Sequence, residues 1–247
     1  MAHTHAASAA SRASAVHQSN QLLAVLPAAE YRRLLPELAY RSVRPGEILY
    51  RYGQPMDDLF FPQDAICSIV RTIDDAGVEV SQIGGEGVVG IGAVIGAVDA
   101  IGDVMSHTYG SGHALRMDIF HREMARRESF YDLMRWYMQV FVSTAMQTVA
   151  CNGLHSAMER TCRWLLMMAD RTGRDDCRIT HETLAMMLGL RRPTITLVIG
   201  TLTRRGMLAP SRGGIHIINR RALESTSCEC YRRGVGLLDG TRLATLS

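Results

Sequence analysis

Arg191 and Arg192 head a run whose side chains are suited to gripping a polyanion and reading its bases. They lie inside residues 179–206, ITHETLAMMLGLRRPTITLVIGTLTRRG. An arginine guanidinium is a planar, permanently charged fork of donors. It matches phosphate oxygens, or the O6 and N7 acceptors of guanine. Thr194 and Thr196 follow on the same run, with hydroxyls that suit phosphates and methyls that suit thymine. Thr180 and His181 open the preceding stretch, and Arg212 lies beyond in a glycine turn. These seven residues are the candidate DNA-contacting set.

The elements that must position them are legible around them. Thr180 suits a helix N-cap. Residues 181–188 form a short helix with Leu184, Ala185 and Leu188 inward, and Gly189 sits where that helix must stop. Residues 191–205 form a second helix, with Pro193 near its start, where a missing N–H costs nothing. Its inward face is Ile195, Val198, Ile199 and Leu202. The small Ala185 lets the second helix cross closely, which makes the pair a helix-turn-helix. That motif presents the N-terminal end of its second helix to the major groove. The next stretch, MLAPSRGGIHIINRRALE, reads as a two-stranded wing with Arg212 at its tip. Arg204, Arg205, Arg220 and Arg221 read as solvated.

Charge placement agrees with that reading. The chain of 247 residues carries a net charge of only +3, and all 27 basic residues are arginine. Residues 1–159 hold 12 arginines against 17 acidic residues, a balance of −5. Residues 160–247 hold 15 against 7, a balance of +8. A basic C-terminal third points to a polyanion partner for that third alone. Hydrophobic residues make up 47% of the chain, but no apolar run reaches the roughly 18–20 residues of a membrane span. No secretory signal is visible, so a cytoplasmic location without membrane contact is expected.

Catalytic constellations are missing. No nucleophile–base pair or metal motif has the required spacing, and GGEGVVG is not followed by Lys and Ser/Thr. No enzyme activity is expected. The six cysteines, at 67, 151, 162, 177, 228 and 230, form no CxxC pair. Cys228 and Cys230 flank Glu229 and supply two ligands, whereas a closed zinc site needs about four. No metal site is expected, and the pair reads as buried or idle thiols.

Along the chain, residues 1–20 read as a disordered tail and 21–128 as a sensor domain of many short strands. Turn signals recur at Pro45-Gly46, Gly53-Gln54-Pro55, Asp74 to Gly77, Gly84-Gly85 and Gly110 to Gly112. Short antiparallel strands joined this way close into a roll or barrel. Residues 87–98 are small and apolar and suit a helical turn within the roll. Residues 129–152 contain no glycine or proline, and a helix of that length spans roughly 36 Å. Phe130, Leu133, Tyr137, Val140, Thr144, Gln147 and Cys151 mark one face, widened by Met134, Phe141, Ala145 and Thr148. Being apolar on more than one side, the helix suits packing on the β domain and on a second subunit, with Asn152-Gly153 as its stop. A further helix, 155–171, opens the winged helix-turn-helix domain at 153–233, and 234–247 is a tail.

Taken together, PGEILYRYGQPMDDLFF, the helix 129–152, ITHETLAMMLGLRRPTIT and GMLAPSRGGIHIINRRALE resemble the Crp/Fnr superfamily of bacterial transcription regulators over most of residues 20–230. The resemblance implies an α+β chain: a cyclic-nucleotide-binding-like β-roll, a long dimerisation helix and a C-terminal winged helix-turn-helix. It implies a homodimer reading a palindrome in double-stranded DNA, with RNA polymerase as a further partner if the protein activates. Arg192 falls where the family places a base-contacting arginine, and Thr180 where it places a phosphate contact. Pro193 stands where many members have a glutamate, and Leu197 replaces a later arginine, so a different operator is implied.

The sensor departs further. Cyclic-nucleotide binders carry a Gly-Glu and then an arginine in the phosphate cassette. Gly85 and Glu86 match the first part as candidate ligand contacts, but no arginine lies between Arg71 and Arg116. A partly buried anionic phosphate would lack its counter-charge, so cyclic nucleotide is not expected as effector. No cysteine precedes Cys67, so the family's N-terminal iron–sulfur cluster is not expected either. His107 and His113 have the side-chain type of a haem ligand and read as surface or strand histidines. A ligand- or partner-binding module without DNA-regulatory activity stays open as the alternative.

Overall fold

The computed structural model describes residues 20–74 and 76–232. The C-terminal tail at 234–247 and all but the last residue of the N-terminal tail lie outside the described residues. That last residue corrects the tail boundary. Asn20 is buried, accepts from the Leu22 and Leu23 N–H groups at 3.1 and 3.2 Å, and donates to the carbonyls of Pro62 and Gly87. It therefore caps the first helix and ties it to the roll.

That helix, α1 (Gln21–Ala24), is followed by α2 (Ala28–Leu34) and a short 3₁₀ turn (Leu35–Glu37). The breaks fall at Pro27, which precedes α2, and around Pro36. Seven strands then build the roll: β1 (Leu38–Val43), β2 (Ile48–Tyr50), β3 (Asp58–Pro62), β4 (Cys67–Ile73), β5 (Ala76–Ile83), β6 (Asp103–Ser106) and β7 (Gly110–Arg116). All described pairings in it are antiparallel, in one sheet of order β1-β7-β3 and a second of order β2-β6-β4-β5. The glycine-rich 87–98 stretch contributes a 3₁₀ turn at Ile91–Ile95, as its small residues suggested. Leu59, Phe60, Phe61, Val89 and Leu115 fill the space between the sheets.

Helix α3 (Met117–Ala125) leads into the long helix α4 (Ser129–Leu154). Phe130, Leu133, Met134, Tyr137, Val140 and Phe141 are buried, and all but Val140 join the core of the roll. Tyr137 reaches so far in that a Cβ on Gly87 would lie 1.9 Å from its hydroxyl, so only glycine fits there. The helix runs past the expected stop at Asn152-Gly153. Gly153 does not take a left-handed φ. The chain leaves the helix at His155, because Ser156 opens the next helix in a reciprocal capping box with Glu159.

A second face of α4 is bare. Val142, Met146 and Val149 are 42%, 67% and 71% exposed. With Arg135 and Gln139 before them and Gly153 after, they follow the alternating four- and three-residue spacing of a coiled-coil seam. The inward stripe expected from the sequence omitted these three residues, because the helix is apolar on both sides and one stripe masks the other.

Helix α5 (Ala157–Thr172), β8 (Asp176–Cys177), α6 (His181–Leu188), α7 (Arg192–Arg204), β9 (Leu208–Ser211), β10 (Gly214–Ile217) and α8 (Arg220–Thr226) complete the chain. They share a second core around Leu165, Leu166, Leu184, Ile195, Leu202 and Ile215. The β4–β5 hairpin joins the two halves. Trp164 Nε1 donates to both carboxylate oxygens of Glu79 at 3.1 and 3.2 Å, and Val78 packs under Gly189.

Candidate nucleic-acid interface

Local chemistry builds the motif as the residues require. Thr180 Oγ1 accepts from the Thr183 N–H at 3.0 Å and starts α6. Gly189 ends it at φ +60, with its N–H donating to Met186 and that of Leu190 to Ala185. Helix α7 begins one residue later than expected, at Arg192, and ends at Arg204. Arg191 is its N-cap in extended conformation, without a side-chain capping bond, and Arg205 is its C-cap. The physical reason lies at Pro193, which biases the preceding residues away from a continuous helix and is best held within the first turn.

The four residues expected inward on α7, Ile195, Val198, Ile199 and Leu202, are buried. Arg191, Arg192, Pro193, Thr194, Thr196 and Leu197 are exposed at its N-terminal end. The Arg191 guanidinium has no hydrogen-bond or ion-pair partner among the described residues. Arg192 Nε lies 3.6 Å from a Glu182 carboxylate oxygen in a pair whose side chains are both largely exposed. Such a pair is worth about 0–1 kcal/mol and yields readily to a better partner. His181 Nδ1 and Thr196 Oγ1 are 3.1 Å apart, which links the head of α6 to α7.

The wing is the β9–β10 hairpin, with Ser211 opposite Gly214 and Arg212 exposed in the intervening turn. β8 adds a third strand on the other side of β10. This strand brings in a residue the sequence reading missed. Arg178 follows β8 directly, is exposed, and crosses so close to the wing that a Cβ on Gly214 would meet its Cα at 2.9 Å. Its signal was its place two residues before Thr180. Arg178, Thr180, Arg191, Arg192 and Arg212 thus all lie exposed on the motif and the strands that flank it. The expectation for Arg220 is corrected. It is held by Asp170, by Glu224 at 2.9 Å and by the Tyr231 hydroxyl at 2.9 Å, so it is a structural residue rather than a solvated one.

Residues 159–226 match the family model of the Crp-like helix-turn-helix domain. The chain carries a Crp-like helix-turn-helix domain on the Crp/Fnr fold. The fold assignment comes from solved structures. A regulator described as belonging to the Crp/Fnr family, from Eubacterium rectale ATCC 33656, aligns with TM-score 0.68 and 18% identity over 81% of this chain and 94% of that one. The c-di-GMP responsive global regulator CLP of Xanthomonas campestris aligns with TM-score 0.64 and 15% identity over 77% and 99%. The Crp/Fnr-family regulator TTHA1359 of Thermus thermophilus aligns with TM-score 0.63 and 16% identity over 76% and 97%. No curated protein sequence matches the chain.

Within this Crp/Fnr fold the candidate ligand contacts of the sensor are already engaged. Glu86 accepts from Arg171 Nε at 2.7 Å and from the Gly84 N–H at 3.0 Å, and the Gly85 carbonyl accepts from the Gln21 N–H at 2.8 Å. Arg171 comes from α5 and also donates to the Gln82 side chain at 2.9 Å. His107 Nε2 is 2.7 Å from Ser68 Oγ, and the His107 ring stacks edge-on against Trp164. His113 is buried in β7 beside Tyr40, and burial holds its pKa below the ordinary 6.5. No helix among the described residues is long and apolar enough to cross a membrane.

Proposed function

We propose that the protein is a homodimeric transcription regulator that reads a palindromic operator through the N-terminal end of α7. The observation that carries this reading is the exposed, uncapped start of that helix. The Arg191 side chain has no internal partner and that of Arg192 only a loose one, while the apolar side of the same helix is fully committed to the core. In a helix-turn-helix this end enters the major groove. Arg192 reads guanine, Thr194 and Thr196 contact backbone or thymine methyls, and Thr180, His181 and Arg212 hold the phosphates on either side. With Pro193 in place of an acceptor and Leu197 in place of a donor, the operator differs from one read by a glutamate and a second arginine.

The bare α4 seam supports the dimer. Two copies joined along Val142, Met146 and Val149 about a twofold axis would present two recognition helices to two half-sites. The sensor responds to something other than a cyclic nucleotide, in keeping with the cassette's lack of arginine and the engagement of Glu86 by Arg171. The protein acts in the cytoplasm, and an activating role would add RNA polymerase as a partner.

Genome-wide footprinting of the tagged protein gives the operator, and fluorescence anisotropy on that operator tests the reading. Arg192→Ala is expected to weaken operator binding by about 1–3 kcal/mol, roughly 5- to 150-fold, and non-operator binding far less. Equal loss on every sequence would show that Arg192 touches only phosphate. Absence of any shift at low salt would favour the binding-module alternative.

A further inference from the structure

Four side chains that lie far apart in the sequence converge where the long helix meets the end of the winged domain. Cys151 lies in the last turn of α4 and His155 just beyond it, while Cys228 and Cys230 follow α8. All three cysteines are buried, and they form a small cluster of their own. The three Sγ atoms and one imidazole nitrogen all lie within 4.8 Å of one another. Cys151 Sγ is 3.6 Å from Cys228 Sγ, and Cys230 Sγ is 3.6 Å from His155 Nδ1.

These separations suit the ligands of one metal ion and are too long for a disulfide. A disulfide needs about 2.05 Å between sulfurs. A tetrahedron with zinc–sulfur bonds of about 2.3 Å has sulfur–sulfur edges of about 3.8 Å. A polynuclear iron–sulfur cluster interposes several irons and sulfides between its cysteines, and the span here leaves no room for that. We infer that Cys151, His155, Cys228 and Cys230 form a closed, tetrahedral site for a single Zn²⁺ ion. Three sulfurs and one imidazole nitrogen are the ligand set of a structural zinc centre.

The surroundings fit the charge such a centre would carry. Binding releases three thiol protons to solvent and leaves three thiolates around Zn²⁺, a net charge of −1. Gln147, one turn before Cys151 on α4, donates from Nε2 to Cys230 Sγ at 2.9 Å, as supporting hydrogen bonds to metal thiolates do. Arg163 of α5 is a charged neighbour of the group. Its Nε is shut off from solvent with no hydrogen-bond partner. The anionic centre gives that guanidinium a counter-charge.

The site's consequence is mechanical. Cys151 and Cys228 are 77 residues apart, and nearly the whole winged domain lies between them. One ion therefore ties both ends of that domain to the end of the long helix and fixes the junction at His155-Ser156. This inference does not rest on the DNA reading, because its tests use metal and heat alone.

The full chain, purified under reducing conditions without chelator, is expected to carry about one zinc per chain by mass spectrometry of metals. Replacement by Co²⁺ is expected to give the visible absorption of a tetrahedral thiolate-ligated ion. A mercurial reagent is expected to release the zinc and lower the thermal midpoint by at least about 5 °C. Cys228→Ser and Cys230→Ser should each lose the metal, while Cys162→Ser, a buried thiol outside the group, should keep it. If the serine variants fail to fold, the cobalt spectrum of the unaltered chain decides alone. Reduced protein that neither contains zinc nor takes it up would overturn the inference.

Discussion

Within the winged domain, the arginines that pack against the fold are structural residues. Arg160 is buried in α5 and donates to the carbonyl of Leu188, the last residue of α6. Arg171 ties α5 to Glu86 of the roll, and Arg220 gathers Asp170, Glu224 and Tyr231. By contrast, the side chains of Arg178, Arg191 and Arg212 are exposed and have no hydrogen-bond or ion-pair partner among the described residues. A chain whose basic residues are all arginine cannot signal function by arginine count. Pairing carries the signal instead. Where the fold supplies carbonyls and carboxylates the guanidinium is part of the scaffold, and where it supplies none the partner must come from outside.

The comparison breaks most visibly at Arg160. Its removal leaves the Leu188 carbonyl without its donor at a helix C-terminus and opens a void between α5 and α6. Arg160→Ala is expected to cost about 2–3 kcal/mol of stability, read as a lower urea midpoint at unchanged slope. Burial also pulls the Arg160 pKa down, because the buried charge is itself unfavourable. Arg160→Met, which keeps most of the volume without the charge, should therefore lose less than Arg160→Ala. An Arg160→Ala variant as stable as the parent would remove the distinction between the paired and the unpaired arginines.

Some of this arrangement was legible in the sequence and some was not, for identifiable reasons. Thr180, Gly189 and the spacing of Ile195, Val198, Ile199 and Leu202 act over one to four residues, so the helix-turn-helix could be drawn from its own segment. The roll was legible as strands and turns, but its strand order was not, because β1 pairs with β7 across the whole domain. Arg220 read as solvated because its partner Asp170 lies 50 residues away. Cys228 and Cys230 read as buried or idle thiols for the same reason: Cys151 and His155 reach them only through the fold. On α4 the two apolar faces overlapped in the pattern, which hid the exposed seam of Val142, Met146 and Val149.

A smaller and pH-gated loss is expected at the junction between the halves. Burial raises the Glu79 pKa, but the nearby His107 and hydrogen bonds from Ser68 and Trp164 outweigh it and hold the carboxyl below its ordinary 4.5. The unfolded chain then takes up a proton on Glu79 at a higher pH than the folded one. The stability Glu79 contributes is complete above pH 4.5 and is lost as the pH falls through its lower folded value. Urea unfolding on either side of that pH should show a steeper acid-side decline in the parent than in Glu79→Gln. Parallel declines would mean that the carboxylate is not held by Trp164 and its neighbours.

The smallest effect on stability, and the most telling, is expected at the exposed arginines. Arg178→Ala and Arg212→Ala remove no internal bond and open no cavity, so each should change unfolding free energy by less than about 0.5 kcal/mol. Their effect belongs to DNA. A guanidinium that neutralises one phosphate releases about one condensed counterion, so each variant should lower the salt slope of operator binding by about 1. That loss should be nearly the same on operator and non-operator sequences, unlike the loss at Arg192, because a phosphate contact carries no base information. Arg178 is the sharper of the two tests, since it entered the interface only through the packing of β8 against the wing. If Arg212→Ala lowers the slope and Arg178→Ala leaves it unchanged, the phosphate grip ends at the wing tip, and the basic edge beside β8 faces solvent in the complex.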